Sequence, residues 1–180
     1  MKKDFNGDII ELYTIMNKSL YFGMMSNIII PMGLLLACYF YEQSYHPANK
    51  LGDFANTLFF IFLILGATQG AFAFWWRQQL LQKPMIRRKE TFQIDLALGL
   101  TRISRPVFML NGAISLYGVI YFFLTGRFEE TMFMVILSFV VFQVVRPRYG
   151  LVNKLIDNQY AMAEKGEFYR EGYQSAVSRD

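Results

Sequence analysis

Long apolar segments without any charged residue alternate with polar segments along this chain. Four of them, 19–41, 54–76, 106–126 and 131–145, contain no Asp, Glu, Lys or Arg, although the sequence has 14 acidic and 18 basic residues. A charge at mid-bilayer costs at least ~2.5 to 3.5 kcal/mol, and a helix of roughly 20 apolar residues crosses the hydrocarbon core. The pattern therefore predicts an all-α polytopic membrane protein with four transmembrane helices.

The remaining residues are too dispersed for an independent soluble domain, so we expect a single membrane domain. Its predicted segments are an amphipathic N-terminal segment (1–20), the first span (21–41), the second span (54–76), a basic connection (77–105), the third span (106–126), the fourth span (131–145) and a tail (146–180). This order predicts two tandem helical hairpins. A shift of 74 residues places Gln69 on Gln143, which favours a duplicated hairpin. Chance similarity between apolar segments is the alternative.

Basic residues predict the orientation. Of the 18 Lys and Arg, 16 lie in the N-terminal segment, the connection at 77–105 and the tail, and only Lys50 and Arg127 lie in the other two loops. The positive-inside rule places the more basic face in the cytoplasm. We therefore expect both termini to be cytoplasmic, in a bacterial inner (plasma) membrane, and the net charge of +4 needs no nucleic acid partner.

The N-terminal segment shows a helical apolar stripe. Its members are Phe5, Ile9, Leu12, Tyr13, Met16 and Leu20, with Ile10 and Ile15 outside the stripe. Spacing of this kind is typical of a helix lying on the membrane surface, here beginning near Ile9. Packing on the protein's own cytoplasmic segments or on a partner is the alternative.

The connection and the tail carry further helical patterns, which predict cytoplasmic helical extensions. The recurring apolar positions are Phe92, Leu96, Leu100 and Ile103 in the connection, and Leu151, Leu155 and Ile156 in the tail. The adjacent Arg87, Arg88 and Lys89 are expected to attract anionic lipids, and a specific phosphate or nucleic acid site is the alternative. Three aromatic residues in the polar tail, Phe168, Tyr169 and Tyr173, predict a docking site for a partner protein.

Residue types that carry catalysis are scarce. His46 is the only histidine and Cys38 the only cysteine, so we expect no catalytic, cofactor-binding or metal site. Neutral polar residues in the spans, Gln69, Asn111 and Gln143, predict a shared level of interhelical hydrogen bonds or a polar vestibule. Small residues at four-residue spacing, Gly66 with Gly70 and Gly33 with Ala37, predict close helix packing within the bundle or with another subunit.

These features favour a non-catalytic integral membrane subunit that scaffolds or anchors a larger complex through its cytoplasmic face. Its expected partners are the bilayer, including anionic lipids, and either other membrane subunits or further copies of itself. The first alternative is a small homo-oligomeric transporter or channel with a neutral polar vestibule. The second is a membrane-embedded lipid-modifying enzyme, which is less favoured because such enzymes usually need acidic or histidine residues at the membrane interface.

Overall fold

The computed structural model describes residue 5 and residues 10–169, and the regular elements in that part of the chain are helical. In chain order they are α1 (Leu12–Met24), a π-helical segment (Met25–Ile29), α2 (Ile30–Tyr45), α3 (Phe54–Leu81), a 3-10 turn (Lys89–Thr91), α4 (Phe92–Thr125), α5 (Phe128–Val145) and α6 (Tyr149–Glu164). Four helical stretches are long and apolar enough to cross a membrane. The prediction of an all-helical chain with four such helices is confirmed, and the fold is compatible with an integral membrane protein.

The helices are longer than the charge-free segments. Helical backbone continues into the polar and charged residues that flank each segment. Uninterrupted helical structure runs from Leu12 to Tyr45 around the predicted first span. The predicted connection at 77–105 contains the end of α3 and the first fourteen residues of α4. Helix α5 begins at Phe128, three residues early, with Glu129 and Glu130 in its first turn, where the helix dipole favours acidic side chains.

The chain divides into two compact units. The bundle unit comprises Leu20–Gln78 and Ser104–Arg146, and the terminal unit comprises the described residues of Met1–Ser19, Gln79–Ile103 and Pro147–Asp180.

Aromatic packing forms the centre of the bundle unit. Phe108 and Phe142 are buried with ring centroids 5.5 Å apart, and Ala73, Val107 and Val145 complete this core. A Cβ atom on Gly23 would lie 2.8 Å from both phenyl rings, so a glycine is needed for this close approach. Many large apolar side chains on the outside of the unit are exposed, including Ile30, Phe40, Phe60, Ile64, Phe123 and Phe133. Such an apolar exterior is expected where lipid replaces water.

Two interhelical loops of the bundle unit touch each other. The Lys50 amide donates to the Leu124 carbonyl at 3.2 Å, and the Arg127 guanidinium donates to Asn56 Oδ1. Arg127 also forms an ion pair with Glu130 at 3.2 Å. The α2–α3 loop and the α4–α5 turn are therefore adjacent.

Arg77 is almost fully buried near the other end of α5. Its guanidinium donates to the Val145 carbonyl and, at 3.4 Å, to the Arg146 carbonyl. Carbonyl groups in the last turn of a helix have no intrahelical donor, so the side chain supplies one.

The terminal unit has an apolar core of its own. Its buried members are Ile10, Ile15, Met16, Leu81, Met85, Ile86, Phe92, Leu96, Leu100, Val152, Leu155, Ile156 and Ala163. Gln159 on α6 is also buried and anchors the turn that follows α3, since its Oε1 accepts from the Met85 amide at 2.8 Å and its Nε2 donates to the Lys83 carbonyl at 2.9 Å. The unit is thus held together by a packed core and by a buried polar contact.

The residues of the predicted N-terminal stripe differ in their exposure. Ile15, placed outside the stripe, is completely buried, whereas Tyr13, placed within it, is 68% exposed. Regular helix begins at Leu12, and Ile9 lies outside the described residues. Apolar residues occur on several sides of this helix, so spacing alone does not fix which side packs. The burial of Ile15 and Met16 agrees with the alternative, in which the helix packs on other parts of the protein.

Candidate functional site

A layer of neutral polar side chains lies inside the bundle unit, at the π-helical segment. Asn27 in that segment is buried, and its Nδ2 donates to the Gly23 carbonyl at 3.0 Å and to Ser26 Oγ at 2.8 Å. A π-helical turn contains one residue more than an α-helical turn, and such turns often occur at functional sites. We call Asn27, Gln69, Asn111, Tyr117 and Ser138 the polar layer.

Asn111 connects three helical stretches of the layer. Its Nδ2 donates to Asn27 Oδ1 at 2.7 Å and to the Ser138 carbonyl at 3.0 Å, and Ser138 Oγ donates to the Asn111 carbonyl at 3.2 Å. A Cβ on the neighbouring Gly112 would lie 3.0 Å from the Ser26 carbonyl oxygen. The glycine therefore allows α4 to approach the π-helical backbone closely.

Gln69 joins α3 to the same layer. Its Nε2 donates to the Leu110 carbonyl, and its Oε1 accepts from the Tyr117 hydroxyl at 2.6 Å. The layer thus contains side chains from all four long helical stretches. Amides and hydroxyls at these positions are neutral hydrogen-bonding groups, so the layer can hold helices together or bind a neutral polar group.

One acceptor in the layer has no donor in the described part of the protein. Asn111 Oδ1 is fully buried and lacks a hydrogen-bond partner there, as does the Tyr121 hydroxyl on the same helix. Buried polar atoms are nearly always paired with protein or with ordered water. A hydrogen bond from a bound water or from another small donor would satisfy the Asn111 oxygen.

The three predicted polar residues have different surroundings. Gln69 and Asn111 both lie in the polar layer, where Gln69 reaches the carbonyl next to Asn111. Gln143 is half-buried on α5. Asn27 and Tyr117 belong to the layer but were not predicted. Gln69 and Asn111 were predicted because each is a polar side chain inside a charge-free segment. Asn27 in 19–41 and Tyr117 in 106–126 are also polar side chains inside charge-free segments.

The two predicted small-residue pairs are also used differently. Cβ atoms on Gly66 and Gly70 would lie 3.1 Å from Ile114 and 2.7 Å from Val141, so this pair packs inside the bundle unit. Gly33 has no such neighbour within 4 Å, and Ala37 is exposed.

The predicted basic and aromatic residues lie in the terminal unit. Arg87, Arg88 and Lys89 are exposed, and the Tyr169 ring contacts two arginine side chains. Phe168 is half-buried, and Tyr173 lies outside the described residues. Within the described residues, no group of three His, Cys, Asp or Glu side chains is placed to hold a metal ion.

The chain matches no protein-family model, no curated protein and no solved structure.

Proposed function

We propose that the protein is a non-catalytic integral membrane subunit that scaffolds a larger membrane complex. In this proposal four helices cross the bilayer as two tandem hairpins, both termini are cytoplasmic, and the terminal unit is the docking platform. The observation that carries the proposal is the packed core of the terminal unit, with Phe92 and Leu96 completely buried. Loops that only connect spans need no such core.

The charge distribution supports the cytoplasmic position of the platform. The positive-inside rule applies to the 16 basic residues in the N-terminal segment, the connection and the tail. The contact between the α2–α3 loop and the α4–α5 turn supports the two hairpins, because their tips then lie on one side of the membrane.

The side of α4 that carries Ile94 and Leu98 is the candidate docking surface of the terminal unit. Ile94 is 64% exposed and Leu98, one turn later, is 49% exposed, whereas Phe92 and Leu96 on the opposite side are buried. Adjacent apolar side chains at i and i+4 form a continuous patch on a helix. A patch of this kind suits an apolar surface of another subunit.

Replacing Ile94 and Leu98 with serine should release the partner subunits. The full chain would be purified from its native membrane in mild detergent, and the composition of the complex measured by native mass spectrometry. The unaltered protein is expected to carry foreign subunits in fixed stoichiometry, and the double variant to lose them because its apolar contact is gone. Tyr149→Ser is the matched control, since Tyr149 is 60% exposed in the same unit but lies on α6. Equal retention in the double variant and the control would refute docking through α4.

A homo-oligomeric transporter or channel is the second candidate, and the polar layer is the observation that favours it. Asn111 Oδ1 offers a buried acceptor to a neutral polar solute. Purification as a pure homo-oligomer, without foreign subunits, would favour this candidate over the scaffold.

A further inference from the structure

Two carboxamide oxygens lie close together in the polar layer. Asn111 Nδ2 donates to Asn27 Oδ1 at 2.7 Å. The oxygen and the nitrogen of one amide group are about 2.2 Å apart, so Asn111 Oδ1 lies within about 5 Å of Asn27 Oδ1. Two hydrogen bonds of ordinary length, donated by one oxygen atom, bridge acceptors that are about 4 to 5 Å apart. A single small molecule with two O–H donors can therefore bond to both oxygens.

Hydrogen bonds fix the direction in which each amide group faces. Asn111 Nδ2 also donates to the Ser138 carbonyl at 3.0 Å, so turning this amide over would place its oxygen against two acceptors. Asn27 Nδ2 donates to the Gly23 carbonyl at 3.0 Å and to Ser26 Oγ at 2.8 Å, which uses both of its N–H bonds. Both amide oxygens are thus held in place as acceptors.

Acceptors outnumber donors at these two oxygens. Asn111 Oδ1 is completely buried and accepts no hydrogen bond from the described part of the chain. Asn27 Oδ1 accepts from Asn111 and has a second lone pair, as every amide oxygen does. A molecule bound between the two oxygens must therefore donate hydrogen bonds. Anions, which only accept them, do not fit.

The π-helical segment adds a backbone carbonyl to this excess of acceptors. The Ile30 amide donates to the Met25 carbonyl, five residues earlier, whereas its α-helical acceptor would be Ser26. Pro31 follows and has no N–H to offer to Ser26. The Ser26 carbonyl oxygen faces α4, 3.0 Å from the position that a Cβ on Gly112 would occupy. In membrane helices, ordered water is one source of donors where a proline interrupts the backbone ladder.

We propose that one water molecule is bound between Asn111 Oδ1 and Asn27 Oδ1 inside the bundle unit. Water is neutral, carries two O–H donors and is the smallest molecule that buried polar groups bind. A cation would also be drawn to oxygen atoms, but its dehydration in a layer of neutral side chains costs far more. The water links the π-helical segment to α4. This binding site goes beyond the scaffold function and does not depend on it.

The test is magnetisation transfer from water to the protein in solid-state NMR, with the full chain in liposomes of deuterated lipid and with labelled asparagine, glutamine and alanine. The Asn111 side chain should receive magnetisation from water as fast as Asn49, which is exposed in the α2–α3 loop. The methyl group of Ala73, which is buried in the core of the bundle unit, should receive it far more slowly. Transfer to Asn111 as slow as transfer to Ala73 would overturn the proposal.

A pair of variants tests the bridge between the two oxygens. Asn111→Leu removes one acceptor and should abolish the transfer from water to the Asn27 side chain. Ser138→Ala is the matched control, since it removes the bond from Ser138 Oγ to the Asn111 carbonyl but keeps both amide oxygens and the Ser138 carbonyl. Asn27 should keep its transfer in this variant. The same result at Asn27 in both variants would refute a bridging water, and the measurement on the unaltered protein does not depend on either variant.

Two other results would assign a different occupant to the site. Gln69 is already bonded through both atoms of its amide, to the Leu110 carbonyl and to the Tyr117 hydroxyl, so its transfer should be slower than that of Asn111. Equally fast transfer to Gln69 would indicate an open, water-filled vestibule. A change in the Asn111 side-chain chemical shift when sodium chloride replaces choline chloride would indicate a bound cation. Either result would overturn the single bound water.

Discussion

Replacing Gly126 with alanine is expected to lower the free energy of unfolding of the protein by more than about 2 kcal/mol. Gly126 follows the last residue of α4 with φ +67°, and its amide donates to the Phe122 carbonyl at 2.7 Å. This left-handed conformation costs an L-residue about 1 to 2 kcal/mol. An added Cβ would also lie only 2.1 Å from the Pro47 carbonyl oxygen, so the contact between the two loops must open.

Gly52→Ala separates the two contributions. Gly52 also has a positive φ, +55°, but no atom lies within 4 Å of its added Cβ. That variant should lose only the conformational part, about 1 kcal/mol. Both values can be measured by denaturant titration in mixed micelles. Equal destabilisation of the two variants would show that the α2–α3 loop and the α4–α5 turn do not touch.

Replacing Asn111 with leucine is expected to destabilise the protein by about 1 to 2 kcal/mol, at the upper end of the range for interhelical hydrogen bonds in membranes. Asn111 is fully buried and donates to both Asn27 Oδ1 and the Ser138 carbonyl. A leucine of similar size would leave the Asn27 oxygen without its interhelical donor. The same denaturant titration measures the change.

Thr68→Val is the matched control for a polar residue in a span. In the described part of the chain, the Thr68 hydroxyl donates within α3, to the Ile64 and Leu65 carbonyls, and the side chain is exposed. This variant should stay within about 0.5 kcal/mol of the unaltered protein. If Asn111→Leu proved as stable as Thr68→Val but failed to complement a deletion strain, the polar layer would serve a transported solute and not the packing of the helices.

The sequence predicts the four apolar helices because charge is excluded from segments long enough to cross a membrane. It also predicts the inward face of α4 in the terminal unit, where Phe92, Leu96 and Leu100 are buried, since these residues recur at helical spacing among polar neighbours. The N-terminal helix lacks that contrast. Apolar residues occur on several of its faces, so the sequence does not show which face packs. In the folded protein Ile15 is buried and Tyr13 is exposed.

The polar layer is only half visible in the sequence. Gln69 and Asn111 stand out as amides in apolar segments, and Asn27 carries the same signal. Asn27 lies in a π-helical segment that no local sequence pattern marks, and this segment packs closely against α4 at Gly112. Likewise, the aromatic residue Tyr169 signals docking, but its sequence context does not show that the ring contacts arginines within the same unit.

A docking platform in the cytoplasm requires the terminal unit to lie on the cytoplasmic side of the membrane, and thiol labelling measures this. Single cysteines would be placed at Ser44 in the last turn of α2 and at Glu129 in the first turn of α5, and at Lys89 and Lys154 in the terminal unit, in a Cys38→Ala background. All four positions are exposed. With an impermeant thiol reagent applied to intact cells, we expect labelling at Ser44 and Glu129 and none at Lys89 and Lys154 until the cells are opened. Labelling at Lys89 and Lys154 in intact cells would contradict the cytoplasmic position of the terminal unit.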